Sequence, residues 1–314
     1  MRRSLWERET VHRWRLYLTE VRAPFFTATI VPVTLGGVIA WAKTGTFHWG
    51  LFLLTLFAGL CLHAGTNVAN DYFDHVFGTD EINYEFVRPY TGGSRLIQKG
   101  LLSPGEVLWE ALLLYAAGAL AGLYLAWTRG VVILLLGLFG AASGFFYTAP
   151  PFRLAGRGIG EFFVGINFGV LMTLGAYYVQ VQRLSWEPVL ASLPVAFLIT
   201  AVLYINQFQD APSDAATGKR NLVVRLGKAK AVSGYIALLL LTYAAIVVSV
   251  VFRAIPPLAL ISLVTVPLAL RAARTARAHY EDALRLAPAN AITILLHLSV
   301  GLLLILGYAI SGAM

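Results

Sequence analysis

Apolar residues run along this chain in long, nearly unbroken blocks, not at the spacing of a helix with one wet face. A bilayer core about 30 Å thick demands about 20 apolar residues of each helix that crosses it. Such blocks lie near residues 25–43, 48–70, 104–127, 130–148, 159–181, 188–209, 231–252, 256–271 and 289–312. The pattern predicts an all-α fold, a polytopic membrane bundle of about nine transmembrane helices. Residues 1–22 precede the first block and mix tryptophan with charge, which predicts a cytoplasmic segment lying at the interface; residues 23–314 then form a single transmembrane domain. Glu7, Glu9 and Glu20 argue against a cleaved leader, whose first region is basic.

Composition sharpens this reading. The chain has 314 residues, of which 58% are hydrophobic and 13% charged, against about 25% charged in an average soluble domain. No single water-facing core hides that much apolar surface, so the partner is the lipid bilayer. The lone cysteine, Cys61, excludes an internal disulfide or a cysteine metal cluster. The net charge of +8 reads as basic loops, not as a nucleic-acid surface. Twenty of the 24 Lys and Arg fall on the side of the N-terminus, and only Lys43, Arg129, Arg183 and Arg253 fall on the other. That asymmetry puts the N-terminus in the cytoplasm. The long polar loops, 71–103 and 210–230, are on the same side, so the chemistry is expected there.

Two helix ends on that side carry carboxylates. The second span closes with Asn67, Asn70, Asp71 and Asp74, spaced to share one helix face, and Asp80 follows. The sixth closes with Asn206, Asp210 and Asp214, so that an Asn-x-x-x-Asp unit recurs 139 residues later. Pro212 disfavours helical geometry at Ala211, which would put Asp214 on a turn. Carboxylates at membrane depth cost about 2.5–3.5 kcal/mol each on insertion scales, and close neighbours repel. Such clusters call for a cation, and an all-oxygen donor set without Cys or paired His points to Mg²⁺. Two clusters fit two ions sharing one polyphosphate. Arg88, Arg95, Lys99, Lys219 and Arg220 flank them and suit phosphate oxygens, although loop cations also orient helices. A cation pathway is the competing reading, weakened because Glu187 is the one acidic residue near the outer side.

The chain resembles the UbiA-type membrane prenyltransferases. Four segments carry the resemblance: Arg22-Ala-Pro24 to Pro32; Asn67-Val-Ala-Asn70-Asp71-Tyr72-Phe73-Asp74; Tyr147-Thr-Ala-Pro150-Pro151-Phe152-Arg153 with Gly160-Glu161; and Asp210 to Asp214 followed by Gly218-Lys219-Arg220-Asn221. The branch it looks most like is the menaquinone-pathway 1,4-dihydroxy-2-naphthoate prenyltransferases. Gly78 stands where many relatives carry a third carboxylate, and Asp80 is the replacement two residues on. The resemblance implies transfer of an isoprenoid chain from a Mg²⁺-bound prenyl diphosphate to an aromatic acceptor, in a polar cavity of an inner-membrane protein that opens to the cytoplasm. It implies Asp71, Asp74, Asp80, Asp210 and Asp214 as metal ligands, and Asn67, Asn70 and Asn206 as partners of metal waters or diphosphate. Tyr147 and Tyr204, with Tyr72, would present ring faces to the allylic cation or simply pack. His63 is either a cavity residue or a hydrogen-bonded structural one, and Glu161 either serves the acceptor or caps its helix. Glyceryl phosphate and 4-hydroxybenzoate remain alternative acceptors. A transporter, or a transferase acting on phospho-alcohols, remains the alternative outside prenyl transfer.

Overall fold

The computed structural model describes residues 5–314, with side chains from Arg13 onward. Residues 1–4 of the expected interfacial segment lie outside the described residues. The described chain is all-helical, as the apolar blocks predict. The first helix, α1 (Leu5–Glu20), ends in a left-handed turn at Arg22, φ 58°. Then come α2 (Thr27–Thr44), α3 (Trp49–Val76), α4 (Pro104–Arg129), α5 (Val131–Phe145) and α6 (Gly160–Val181). The rest of the chain forms α7 (Trp186–Ala216), the single turn α8 (Leu222–Leu226), α9 (Lys228–Val251), α10 (Pro257–His279) and α11 (Ala283–Ala313). Eight of these helices are long and apolar enough to cross a membrane. The fourth apolar block, 130–148, becomes α5, of 15 residues. It stops at Phe145 because Tyr147 to Gly158 form a chain of turns around Pro150 and Pro151.

Length positions the chemistry. At 1.5 Å per residue, α3 and α7 are about 42 and 46 Å long, more than a 30 Å hydrocarbon core requires. Both therefore carry their last two to three turns, with the Asn and Asp residues, past the apolar core. The opposite ends are marked by exposed Trp49, Trp127, Trp186 and Phe252 beside Arg129, Arg183 and Arg253, the aromatic and basic belt of an interface.

The helices close on small residues. A Cβ on Gly36 of α2 would lie 2.2 Å from the Thr173 carbonyl of α6, and one on Gly169 of α6 would lie 2.4 Å from Ala196 of α7. Such close approach is how membrane helices gain van der Waals contact where no hydrophobic effect drives them together. The main core joins α2, α7, α9, α10 and α11 around Leu35, Tyr204, Phe208, Tyr235 and Leu296. A second, between α3 and α4, is built on Val68, Val107 and Ala111. Between the two a cavity is left.

Candidate active site

Both carboxylate helices end in the same way. Gly78 and Gly218 each stand four residues after an aspartate and adopt φ 73° and 76°, a left-handed turn that a side chain would strain. The turn folds each chain back, so that Thr79 N–H donates to the Asp74 carbonyl at 2.9 Å and Lys219 N–H to the Asp214 carbonyl at 2.8 Å. The structural repeat thus pairs Asp74 with Asp214, one register away from the Asn67/Asn206 pairing the sequence suggests. The two returning turns touch through the Thr79 and Thr217 hydroxyls at 3.1 Å.

Pro212 does not end α7. The helix runs through it to Ala216 with the ring on the exposed side; the proline removes one backbone hydrogen bond, to the Phe208 carbonyl, and the rest of the ladder is kept. Asp210 and Asp214 therefore share the cavity-facing side, and the expected turn at Asp214 is corrected.

The two clusters meet across one ammonium. Lys219 Nζ lies 3.1 Å from Asp74 Oδ2 and 3.5 Å from Asp214 Oδ1. Asn70 donates to Asp74 Oδ2 at 3.0 Å, Asn83 to Asp210 Oδ1 at 2.7 Å, and Asn221 to Asp214 Oδ2 at 2.7 Å. Burial works against the Lys219 charge, but Asp214 and Asp74 hold its pKa well above the ordinary lysine value. Asp80, brought back beside Asp74 by the Gly78 turn, is pushed up to about 8 by burial and by the Asp74 and Asp71 charges. These residues form the polar end of a cavity of about 510 Å³ that continues between α3, α5, α6 and α7 along Leu62, Leu136, Phe168 and Ile199.

The expected site residues separate into two groups. Asn67, Asn70, Asp74, Asp80, Tyr147, Asn206, Asp210, Asp214 and Lys219 line the cavity. The others do not. Asp71 is packed under the Gly93–Ser94 turn, where it accepts the Ser94 N–H at 2.6 Å and faces Arg22 at 3.7 Å. Arg88 and Arg95 are struts that donate to the Ser94 and Asp80 carbonyls and hold the 80–95 loop. Lys99 is exposed, as is Arg220, whose N–H is tied to the Gly156 carbonyl. Tyr204 is buried in the main core with its hydroxyl against Gly234, and Tyr72 packs in the α3–α4 core. Glu161 is buried outside the cavity lining and accepts from Gln207 and from the Leu222 N–H at 2.9 Å each.

Three contributors were not singled out as site residues by sequence. Arg22 lines the cavity, although the sequence counts it among orienting cations. Asn83 sits in a loop without periodicity, so nothing in the pattern marks it. Glu20, fully buried, accepts from the Ser94 hydroxyl and couples α1 to the turn that holds Asp71.

The donor set fits a hard cation. Asp80 Oδ2, on the cavity wall, is buried without a hydrogen-bond partner, and Asp214 Oδ1 has only the Lys219 ammonium at 3.5 Å, an arrangement whose cost a cation or its waters would relieve. Among the described residues no group of three or more His, Cys, Asp or Glu stands ready to hold a metal. Mg²⁺ needs no such cage, since it keeps waters and takes one or two carboxylates plus substrate phosphates.

Comparison with known proteins agrees with this architecture. The chain is 30% identical over 301 residues to 2-carboxy-1,4-naphthoquinone phytyltransferase of Synechocystis sp., covering 95% of this chain and 94% of that protein. It is 35% identical to 1,4-dihydroxy-2-naphthoate octaprenyltransferase of Mycobacterium tuberculosis, over 79% of this chain and 81% of the relative. The fold matches the apo structure of a UbiA homolog from Aeropyrum pernix, with a TM-score of 0.65 at 18% identity, covering 88% of this chain and 97% of that one. It also matches a UbiA homolog from Archaeoglobus fulgidus bound to GPP and Mg²⁺, with a TM-score of 0.58 at 17% identity over 92% and 99% of the two chains. The pattern of the UbiA prenyltransferase family covers residues 29–294, and the chain belongs to that family.

Proposed function

We propose that the protein transfers an isoprenoid chain from a prenyl diphosphate to an aromatic quinone precursor, 1,4-dihydroxy-2-naphthoate, and releases diphosphate. The observation that carries this reading is the joining of two aspartate-bearing helix ends, through Lys219, at the mouth of a cavity whose depth is apolar. A diphosphate head suits the first part and an isoprenoid tail the second.

In this reading Asp74 and Asp80 hold Mg²⁺ on one side, and Asp210 and Asp214 on the other. When bound, Mg²⁺ neutralises the diphosphate oxygens that receive the leaving electron pair. Lys219 is the fixed cation between the clusters, with Arg22 at the rim. Asn67, Asn70 and Asn206 orient waters or phosphate oxygens. Asp71 acts from behind, setting the Gly93–Ser94 turn. As the allylic carbon–oxygen bond breaks, the chain's work is to exclude water from the cation, which the apolar wall does. Tyr147, on the cavity wall, is the aromatic ring that would stabilise that cation through its π face. An electron-rich ring carbon then donates its π pair to form the new carbon–carbon bond while the carbon–oxygen pair departs with diphosphate; aromaticity returns as that carbon's bonding pair falls back into the ring, with loss of a proton from a C–H carbon or of carbon dioxide from the carboxylate-bearing one. The naphthoate assignment draws on the Mycobacterium tuberculosis relative, named for 1,4-dihydroxy-2-naphthoate, with the Synechocystis relative named for a carboxylated naphthoquinone.

The same reading puts the site on the cytoplasmic side of the inner membrane, on the strength of the 20-to-4 split of basic residues. The test is direct. Purified protein is given prenyl diphosphates of several lengths, Mg²⁺ and a panel of dihydroxynaphthoate, hydroxybenzoate and glyceryl phosphate acceptors. Mass spectrometry of the lipid product is expected to show a prenylated naphthoquinol. A product formed only with another acceptor would overturn the naphthoate assignment.

A further inference from the structure

The apolar part of the cavity wall carries a polar side chain, His63. His63 lies on α3 one turn deeper than Asn67, about 6 Å further along the helix axis at 1.5 Å per residue. It is 5% exposed and lines the cavity among Val33, Leu62 and Phe168. Its Nδ1 is 2.9 Å from the hydroxyl of Thr29 on α2. Its ring stands edge-on to Phe168 at 4.6 Å and tilted to Phe26 at 5.4 Å, so its orientation is fixed on two sides.

The Thr29 contact decides the tautomer. Thr29 is fully buried, and His63 Nδ1 is the hydroxyl's one hydrogen-bond partner among the described residues. A buried hydroxyl proton left without an acceptor is costly, so Thr29 donates and Nδ1 accepts. The proton of the neutral imidazole is then on Nε2. Among the described residues Nε2 has no hydrogen-bond partner, and His63 thus offers one N–H donor to the cavity.

A second feature converges on the same place. The turn Ile166–Leu171 of α6 is a π-helical bulge, a distortion that recurs at functional sites. It carries Asn167, bonded to Ser143 at 2.8 Å, and Phe168, and both line the cavity. An isoprenoid tail has nothing to accept the His63 proton, and would leave it unpaired. An aromatic acceptor does have an oxygen to offer. Its ring has to reach the allylic carbon below the diphosphate head, and His63, one turn beneath Asn67, is a polar side chain on that same cavity wall.

We propose that His63 is the binding residue that donates a hydrogen bond, through Nε2–H, to a hydroxyl or carboxylate oxygen of the acceptor ring, and that Phe168 flanks the ring there. This rests on the prenyl-transfer reading given above. Thr29 is a positioning residue that holds the tautomer. His63 is a donor in this arrangement, not a base.

The experiment uses the full chain in lipid nanodiscs with Mg²⁺ and geranylgeranyl diphosphate, varying 1,4-dihydroxy-2-naphthoate and then the diphosphate. His63→Phe is expected to raise the acceptor KM about tenfold, the scale of one hydrogen bond, and to leave the diphosphate KM unchanged. His63→Gln, whose amide N–H reaches the place of Nε2, is expected to restore the acceptor KM to within about twofold, with the pH profile of kcat unaltered. An unchanged acceptor KM in His63→Phe, a shift in the diphosphate KM instead, failure of glutamine to rescue, or loss of a pH limb in His63→Gln would each overturn the proposal. Should His63→Phe fail to fold, Thr29→Val is read in its place: a several-fold weaker acceptor KM supports the proposal, and an unchanged one overturns it. Wild-type protein that prenylates no naphthoate would overturn the functional reading itself. Active wild type with indifferent variants would overturn only the role of His63.

Discussion

At the scale of single residues, the site is a balance of buried charges with Lys219 at its centre. Asp74 and Asp214 both lean on that one ammonium. Removing one partner of a buried ion pair costs about 3–5 kcal/mol, because the other charge is left unpaired. Lys219→Met is therefore expected to lower the thermal midpoint of metal-free protein clearly, with Mg²⁺ plus diphosphate restoring part of it. An unchanged midpoint would show that the clusters do not depend on the lysine. Glu20 gives a second test. Burial and the neighbouring charges of Asp71 and Glu110 raise its carboxyl from 4.5 to about 8, against the pull of Ser94 and Arg22. A carboxyl raised on folding favours the native state while it is protonated and loses that contribution as pH climbs from its unfolded to its folded value. Stability of the metal-free protein is thus expected to fall between about pH 5 and about pH 8, with a shallower slope in Glu20→Gln; equal slopes in a pH series of thermal melts would contradict this. The aspartates and asparagines were legible in the sequence because carboxylates beside an apolar run are costly and need a reason. The placement of Arg88 and Arg95 was not: a loop cation turned toward the cavity and one that ties its own loop's carbonyls have the same sequence signature.

At the scale of elements, the apolar blocks gave the helices closely, since lipid permits little else. The local exceptions came from details that blocks of hydrophobicity do not encode. Pro212 reads as a break, yet α7 continues to Ala216, because a proline forfeits a single backbone hydrogen bond, here to the Phe208 carbonyl. The repeat between α3 and α7 is set by the Gly78 and Gly218 turns, not by the asparagines. The π bulge in α6 has no signature in the apolar pattern. Close packing supplies the prediction at this scale. Gly36→Val would drive a side chain into the Thr173 carbonyl, and overpacking of this kind costs about 1–3 kcal/mol. It is expected to lower the thermal midpoint in detergent, whereas Gly122→Ala, with nothing within 4 Å, is expected to be neutral or slightly stabilising. Equal effects would mean that α2 and α6 are not packed as described.

At the scale of the whole molecule, two overlong helices project their polar ends from one side of the bundle, and the cavity joins that side to the membrane interior. The basic residues assign the side. In a Cys61→Ala background, Arg277→Cys is expected to react with an impermeant maleimide only in inside-out vesicles, and Arg183→Cys only in right-side-out ones; the reverse pattern would invert the topology. The central claim is that the two helix ends act on one diphosphate, and diphosphate release with prenylated lipid product tests it most directly. Measured on folded Asp74→Asn and Asp210→Asn proteins with Mg²⁺ present, turnover is expected to fall by about 100-fold or more in each. Wild-type turnover in either variant would contradict the account.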